Sequence, residues 1–458
     1  MKILRLILTF AALAGFLVLN YGFANWSIYI YKFPVPVGHL LSLAALLAAF
    51  IVAKDRKKAL TEFLKEPFVI VWIGLAALSL IHLLFDLPRY GGYAARDASF
   101  VAEGAFLFLG FLWARDHDDK KTFLNGLGIV FLLTFFYSLT IVQSSPLTSM
   151  SPVSGIFQPV PILGNYSFTY FSLQIGALFF IMVVPRITKY PIALLWILAI
   201  LQIGWMFYFQ ERSTYVTSLA LILLALALAG LRQALRISAL HVAGFIALIA
   251  LSSLFSNIGN INLIGGRSGN VSPTFYAQHL ETINPDNNLP NVSPANWRLE
   301  IWREAIGHWL ATPVTILVGE GFGQPLTDYV QVGGYTGNAV LANTVSPRQF
   351  RVAIRQPHDI HLTVLARLGI IGFLLWAFIN VRIIYLFIRS LWKDPKESFE
   401  HALKLWLFLF YITGIILASL QPWLEFSYGA IPFYIVLGFS LAILSNRSKD
   451  LIEESHVS

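Results

Sequence analysis

The sequence predicts an all-α fold, a polytopic transmembrane helical bundle of about twelve spans with one large, partly helical external loop. Of its 458 residues, 57% are apolar and only 12% are charged, with a mean hydropathy of +0.68. A soluble domain averages roughly 25% charged residues, so this chain has too few to cover a water-facing surface. Runs of about 20 apolar residues recur along it, and a helix of that length crosses the hydrocarbon layer.

The apolar runs divide the chain into four parts: nine spans within 1–256, an external loop at 257–360, three spans within 361–445 and a tail at 446–458. The first run has a basic start and no small-residue cleavage site, so we expect a retained span rather than a signal peptide. The spans are expected at 3–22, 37–53, 68–86, 98–115, 123–142, 166–185, 190–210, 213–231, 237–256, 361–389, 403–421 and 426–444.

The positions of lysine predict the orientation. With the N-terminus inside, twelve of the thirteen lysines fall in cytoplasmic segments and only Lys32 falls outside. Cytoplasmic loops are enriched in basic residues, so both termini are predicted to be cytoplasmic. These links account for most of the net charge of +8, and no nucleic-acid partner is predicted. Because the chain has no cysteine, we expect no disulfide and no cysteine-ligated metal.

Arginine, unlike lysine, is abundant on the external side. Its planar guanidinium matches phosphate oxygens in pairs, so arginine without lysine indicates recognition of an anion such as phosphate. The alternative is that some of these arginines pair with external carboxylates such as Glu281 and Glu300. The external arginines are Arg89, Arg96, Arg212, Arg267, Arg298, Arg303, Arg348, Arg351 and Arg355.

The external loop contains one predicted amphipathic helix, PANWRLEIWREAIGHWLATP. Ser293 or Asn296 is its expected cap and Pro313 its expected end. Its tryptophans are typical of a helix at the membrane interface, although packing onto the bundle explains them equally well. A glycine-rich turn, VGEGFGQ, follows.

The stretch RQPHDIHLTVLARLGIIG changes from polar to apolar within seven residues. Pro357 suits the first turn of a helix, which would place His358 and Asp359 in that turn as well. The helix N-terminus and Arg355 both oppose a positive charge on His358, so its imidazole is predicted to be largely neutral. The alternative is a histidine at the level of the lipid headgroups.

Two further groups of charged residues are candidates for a site. Glu211 and Arg212 lie in a very short link between apolar runs, where charges are costly and usually functional; an arginine that reaches the headgroups is the alternative. Arg298 lies on the predicted amphipathic helix, with Arg303 on a different face, and a solvated helix explains that pair as well as a site does.

PHDIHLTVLARLGIIG resembles the signature of the O-antigen ligase and O-antigen polymerase superfamily of bacterial polytopic membrane glycosyltransferases. That signature has a histidine, usually an asparagine next, leucines four and seven residues on, and a glycine eleven on. In this sequence those positions hold His358, Asp359, Leu362, Leu365 and Gly369.

Two other segments resemble the same family, in its order and spacing over about 200–380. ERSTYVTSLAL resembles its Ser-Arg-small segment through Arg212, and WRLEIWREAI…VGEGFG resembles its Arg-x-x-x-Trp…Gly-x-Gly segment through Arg298, Trp302, Gly319 and Gly321. The sequence departs from the family pattern at three positions, with Asp359 for the usual asparagine, Glu211 for a common serine and Arg367 for a common acidic residue.

The resemblance implies a metal-independent, inverting glycosyl transfer with no cofactor, on the periplasmic face of the bacterial inner (cytoplasmic) membrane. The implied donor is a glycan on undecaprenyl pyrophosphate; a ligase transfers it to a lipid A-core sugar, a polymerase to another lipid-linked repeat. Arg212 and Arg298 are expected to stabilise the leaving pyrophosphate, and His358 to accept a hydrogen bond or the proton from the acceptor hydroxyl. Further implied substrate-binding residues are Arg303, Arg355, Asp359 and His361.

Rival functions fit the sequence less well. A transporter would place ionisable residues near mid-membrane and repeat its halves, whereas here the polar candidates lie at the outer ends of spans, with Glu103 and Arg367 as partial exceptions. A scaffold has no need of an arginine-rich external face. The fully formed histidine motif favours a ligase over a polymerase, and the short tail disfavours a protein glycosyltransferase with a soluble C-terminal region.

Overall fold

The structure, a computed structural model, describes residues 1–30, 33–141, 150–151, 153–154, 160–161, 163, 168–259, 271–274, 276, 294–326 and 356–457. Most of these residues are helical. Two antiparallel hairpins pair strand β1 (Ser27–Ile30) with β2 (Phe33–Pro36) and β3 (Val153–Ser154) with β4 (Val160–Pro161). The predicted all-α class is confirmed.

The helices follow one another through the described part of the chain. In chain order they are α1 (Lys2–Ala14), α2 (Asn20–Asn25), α3 (Val37–Val52), α4 (Arg56–Leu64), α5 (Pro67–Tyr90), α6 (Gly92–Asp97), α7 (Ser99–Ala102), α8 (Leu107–Trp113), α9 (His117–Leu139), α10 (Thr169–Met182), α11 (Val184–Ile187), α12 (Ile192–Tyr208), α13 (Arg212–Ala229), α14 (Leu231–Gly259), α15 (Pro294–Trp309), α16 (Pro313–Val318), α17 (Ile360–Lys393), α18 (Phe399–Ala418) and α19 (Ser427–Val457). A π-helical turn (Gly15–Leu19) extends α1, and a 3₁₀ turn (Glu103–Phe106) joins α7 to α8.

Among the described residues, eight helical segments are long and apolar enough to cross a membrane, which shows a multi-pass membrane protein. They are α1 with its π-helical turn, α5, α9, α13, the first 24 residues of α14, α17, α18 and the first 19 residues of α19. Helices α3 and α4 together form a ninth candidate, bent by 118° at a break where Asp55 has a left-handed backbone. Shorter apolar helices occupy Ser99–Trp113, α10 and α12. Each predicted span is thus mostly helical over its described residues, although 98–115 is divided among α7, the 3₁₀ turn and α8. The count of about twelve stays a prediction.

Helices α10, α18 and α19 form the centre of the bundle. Nearly every residue of α10 is buried, as are most residues of α18 and of the apolar part of α19. Helix α5, in contrast, exposes Ile70, Ile73, Leu80 and Leu84 on its outer side. Large apolar side chains exposed along the outer helices, around a core that is also apolar, are the pattern of a bundle surrounded by lipid.

The helix ends define two poles of the bundle. Residues of the α11 region, the α13–α14 junction and the start of α18 line one cavity at the first pole. Because α13 ends and α18 begins there, the start of α13 and the end of α18 lie at the opposite pole, one helix length of about 27 Å away. Three links that the lysine pattern predicts to be cytoplasmic therefore lie together, although which pole faces the cytoplasm stays a prediction.

Candidate active site

His358 lies just before helix α17, not inside its first turn as the sequence predicted. The helix begins at Ile360, and Asp359 is its N-cap: one carboxylate oxygen accepts from the amides of His361 at 2.8 Å and Leu362 at 3.2 Å. Aspartate is among the best residues for this role, which explains why the helix begins there rather than at Pro357. His358 then has a left-handed backbone, with φ +57°, that turns the chain into the helix.

The imidazole of His358 is neutral at pH 7. Its pKa is lowered to about 3, first by burial and second by the guanidinium of Arg298, while a hydrogen bond with Gln421 acts in the opposite direction. The predicted neutral form is therefore present, but the described charge that favours it is Arg298. Arg355, which the sequence proposed for this effect, lies outside the described residues.

Helix α15 brings Arg298 to His358. The indole of Trp302, one helical turn after Arg298, donates to the backbone carbonyl of Pro357 at 3.0 Å and so ties the two segments together. Ile301 and Ala305 are buried on this helix, which packs against α17. Arg303 is exposed, so the structure does not bring this candidate into the same environment.

Helix α15 packs onto the bundle on one side, and its contact with the membrane interface stays a prediction. Besides its packed side, it exposes Leu299 and Ile306, and Leu310 is exposed just after its end. The short helix α16 continues this surface with exposed Val314 and Leu317. Contiguous apolar side chains of this kind are typical of a surface that contacts the membrane interface.

Arg212 lies in the first turn of α13, half-buried, at the same pole as His358. The neighbouring Ser213 hydroxyl is 3.4 Å from the hydroxyl of Tyr170. Glu211 is the N-cap residue of the helix, and Gln210 before it is fully buried with a left-handed backbone. The link between α12 and α13 is thus a tight, buried turn, and its arginine is held by the end of a helix rather than by a free loop.

His361 uses both ring nitrogens within the protein. The indole of Trp376 donates to Nδ1 at 3.0 Å, so the neutral ring carries its proton on Nε2 and donates it to the Ser419 hydroxyl at 3.1 Å. Ser419 in turn donates to the carbonyl of Ile415 at 2.9 Å. We therefore interpret His361 as a residue that fixes the end of α18 against α17.

Glu425 is a site residue that the sequence reasoning missed. It lies in the link between α18 and α19, only 2% exposed, and one carboxyl oxygen accepts from the Thr363 hydroxyl at 2.9 Å. The other oxygen is buried and makes no hydrogen bond within the described part of the chain. Burial raises the pKa of Glu425 to about 8, helped by Asp359 and opposed by Thr363 and Arg367. A lone acid in a short link between apolar helices, the signal that identified Arg212, would have identified it.

A glycine-rich loop after α16 docks on a break in α17. Gly369 has φ +64° inside the helix, which interrupts the regular hydrogen bonds of the preceding turn. The carbonyls of Ala366 and Arg367 accept instead from the amides of Glu320 and Gly321, at 2.9 and 3.0 Å. The loop thus satisfies backbone groups that the kink would otherwise leave without partners.

This junction is made by backbone against backbone. A β-carbon on Gly319, whose φ is +85°, would lie 2.2 Å from the carbonyl carbon of Arg367. A β-carbon on Gly369 would lie 2.4 Å from the carbonyl carbon of Leu317. Both glycines therefore have steric and conformational reasons to be glycine.

Arg367 is a fully buried clamp on the same loop. It pairs with Asp97 at 2.8 Å and donates to the carbonyls of Gly321 at 2.9 Å and Gln324 at 3.0 Å. Asp97 also accepts from the amide of Gly323 at 3.1 Å. The charge of Arg367 is thus matched by an acid on α6, and its contacts are those of a structural residue.

The end of α5 completes the support of the loop. Asp86 accepts from the amide of Phe322 at 2.7 Å, and Nε2 of His82 is 2.7 Å from the carbonyl of Val318. Nearby, Glu320 bonds to His308 of α15 at 3.2 Å, which raises the pKa of that histidine. The loop therefore fixes α15, and with it Arg298, relative to α17.

The described residues contain no group of three or more histidine, aspartate or glutamate side chains arranged to hold a metal ion. The positive charge next to His358 comes from arginine. Such an arrangement can bind an anion through a guanidinium and offer a neutral imidazole as a hydrogen-bond acceptor to a second substrate.

No protein-family model matches the chain, and no curated protein matches it.

Proposed function

We propose that this protein is a membrane glycosyltransferase of the O-antigen ligase type. It transfers a glycan from undecaprenyl pyrophosphate to a lipid A-core sugar at the periplasmic face of the inner membrane, without a metal ion and with inversion. A polymerase, which extends another lipid-linked repeat from the same donor, is the alternative.

One observation supports this proposal above the others: motif segments far apart in the sequence meet at one pole of the bundle. Arg298 and His358 share one electrostatic environment, and Trp302 ties their segments together. Gly319 and Gly321, the glycines of the segment WRLEIWREAI…VGEGFG, dock on the kink at Gly369. Convergence of this kind is expected if the motif residues form one site.

In this reaction the arginines stabilise the charge that develops on the leaving pyrophosphate. Arg298 supplies a fixed guanidinium beside His358, and Arg212 supplies a second one at the same pole. Donors aimed at developing charge act most strongly where water is excluded, and removing one typically costs 10²–10³-fold in rate. The undecaprenyl chain stays in the bilayer, so the donor reaches the site laterally between helices.

His358 aligns the acceptor hydroxyl. Because its pKa is about 3, the imidazole stays an acceptor over the whole physiological range. In glycosyl transfer the bond to the leaving group breaks early, with oxocarbenium character at the anomeric carbon. A well-placed hydrogen-bond acceptor on the attacking hydroxyl is therefore useful even when its basicity is low.

Glu425 keeps the site positive. With a pKa of about 8, it is mostly protonated at pH 7, so it adds little negative charge beside Thr363 and Asp359 at the start of α17. An ionised carboxylate at that position would repel the pyrophosphate of the donor. Glu425 is a positioning residue in this proposal, because it acts through the potential of the site.

The decisive experiment is the lipopolysaccharide pattern of a strain that lacks this gene and is complemented with wild type or His358→Asn. Asparagine tolerates the left-handed backbone of position 358 better than alanine does, so this variant removes the imidazole with little strain. Bare core together with glycan accumulated on undecaprenyl pyrophosphate is expected for both the deletion and the variant.

Two other patterns have different consequences. Core that carries a single repeat would replace the ligase by the polymerase. An unchanged pattern in the deletion strain would overturn both functions. His117→Asn, at an exposed histidine at the start of α9, serves as the matched control for the loss of one imidazole.

A further inference from the structure

A second polar site lies at the pole of the bundle opposite His358. It is a cavity of about 260 Å³ between the end of α10, the α13–α14 junction and the start of α18. Since one water occupies roughly 30 Å³ of liquid, the cavity has room for a small polar headgroup. None of the residues of the candidate active site lines it.

The rim of this cavity is strongly basic. Arg186, Arg232, Arg236 and Lys396 line it, against one carboxylate, Glu397. Glu397 is 3.5 Å from Arg232, and both side chains are exposed, so this pair contributes little. Glu397 also acts on Arg186, so four cations share one carboxylate, and the excess of positive charge creates a positive potential over the cavity.

His401 lies deeper in the cavity wall. It is 2% exposed, the backbone of Leu391 faces one ring nitrogen, and neither nitrogen makes a well-aligned hydrogen bond within the described residues. A buried imidazole with hydrogen-bonding capacity to spare is an independent sign of a polar ligand, because buried polar groups normally have partners. Its position on the first turn of α18 aims it into the same space as the rim cations.

Apart from Gln233, the remaining wall is apolar and leads out to the lipid-facing surface. Met182 and Leu405 are among the lining residues inside the cavity. Leu231, also a lining residue, is exposed and begins a stripe on α14 that continues through Leu235 and Val242. Spacings of four and eleven residues keep these side chains on one face of the helix. A ligand with a phosphate head and an apolar tail matches both the basic rim and the apolar wall.

We propose that this cavity binds the phosphate group of an anionic phospholipid, with the acyl chains lying along the exposed face of α14. Basic pockets between transmembrane helices are suited to such headgroups. The phosphate would lie among Arg186, Arg236 and Lys396, within reach of His401. This site is separate from the proposed glycosyl transfer and does not depend on it.

The test measures lipid retention by native mass spectrometry of the full-length protein in detergent. Phosphatidylglycerol and cardiolipin are compared with zwitterionic phosphatidylcholine of the same acyl chains. Each surface cation contributes roughly 1 kcal/mol to the binding of an anionic lipid. Lys396→Gln is therefore expected to weaken phosphatidylglycerol binding about fivefold, and Arg186→Ala with Arg236→Ala about thirtyfold.

Two controls keep this result specific. Lys58→Gln removes an exposed cation of α4, away from the cavity, and is expected to leave binding within a factor of two. Inorganic phosphate at millimolar concentration tests whether a free anion occupies the same place. Because Lys396 is exposed, its replacement is not expected to disturb folding, so the test remains available if the double variant is unstable.

Three results would overturn the proposal. Equal retention of phosphatidylcholine and phosphatidylglycerol would show no preference for a lipid with a net negative charge. Unchanged phosphatidylglycerol binding by Lys396→Gln would place the lipid elsewhere. Displacement of the lipid by inorganic phosphate would identify the ligand as a free phosphate compound. None of these readouts involves glycosyl transfer, so failure here is distinct from failure of the proposed function.

Discussion

Replacing Glu425 by glutamine is expected to remove a loss of activity at alkaline pH. In the wild-type protein this carboxyl is buried next to Thr363, with Asp359, Asp97 and Arg367 acting on it electrostatically. Glutamine keeps the shape and the hydrogen bond from Thr363 but cannot ionise. The variant thus isolates the charge of the side chain from its packing.

The size of the effect follows from the pKa of about 8. At pH 7 about nine tenths of the molecules carry the proton, and at pH 9 about one tenth do. If only the protonated form binds the anionic donor well, kcat/KM falls about tenfold between these two pH values. The pyrophosphate diester of the proposed donor does not titrate in this range, so it would not produce such a fall itself.

The assay is the pH dependence of kcat/KM for transfer from purified lipid-linked donor, because this ratio reports groups of the free enzyme. The wild type is expected to decline above pH 8, mainly through KM for the donor. Glu425→Gln is expected to hold its neutral activity across pH 7–9. Glu304→Gln, at a carboxylate of α15, is the matched control and should decline as the wild type does.

A fall in Glu425→Gln equal to that of the wild type would refute this reasoning. Thermal unfolding in detergent gives a second, independent readout. The folded pKa of Glu425 is raised from 4.5, so the folded state holds an extra proton between about pH 4.5 and 8 and loses stability as pH rises through that window. The glutamine variant should lose less stability over the same window.

Four further predictions concern the site, its support and the topology. Arg298→Lys and Arg212→Lys should each lose about 100-fold in kcat/KM, since lysine cannot bind phosphate as a fork; near-full activity would make either arginine an anchor only. Gly319→Ala should lower the free energy of unfolding by at least about 2 kcal/mol, whereas Gly307→Ala, with open space around it, should not. Equal stability of the two variants would show that the close backbone contact at Gly319 is not required. Activity should survive EDTA, and a loss that Mg²⁺ restores would contradict metal independence. A cysteine at 307 should react with an impermeant thiol reagent in cells with a permeabilised outer membrane while one at Lys58 is protected, and the reverse would invert the topology.

The helical elements were predictable because each apolar run of membrane-spanning length has one stable form. Without water, a backbone in lipid must satisfy its own hydrogen bonds, so runs such as 68–86 and 403–421 become helices, here Pro67–Tyr90 and Phe399–Ala418. The sequence did not predict the 118° bend between α3 and α4. That bend lies in a basic, polar stretch where the rule no longer applies.

The residue at which α17 begins was harder to predict from the sequence. Proline and aspartate are both good residues for a helix start, and the choice between Pro357 and Asp359 depends on which backbone amides need a partner. That depends in turn on Trp302, whose indole donates to the carbonyl of Pro357 from a distant helix. The helix propensities of the residues around Pro357 carry no information about this contact.

Glu425 and Arg367 show two different gaps in the reasoning from sequence. Glu425 carries a usable signal, because it is an acid in a short link between apolar runs, as Glu211 and Arg212 are charges in such a link. Arg367 carried a misleading one, because a charge within a span suggests function. Its partner Asp97 is 270 residues earlier, so only the packing of α6 against the glycine loop identifies the pair as structural.

The junction between the glycine loop and α17 limits which amino-acid replacements homologues of this protein can accept. Its bonds join main-chain groups, so they place requirements on where glycine occurs, and Asp86, Asp97 and Arg367 are the side chains that support the loop beside them. Neighbouring positions are free to exchange apolar residues while the register of 319, 321, 323 and 369 is kept. Distant homologues should therefore be easier to find from the spacing of these four glycines than from overall identity.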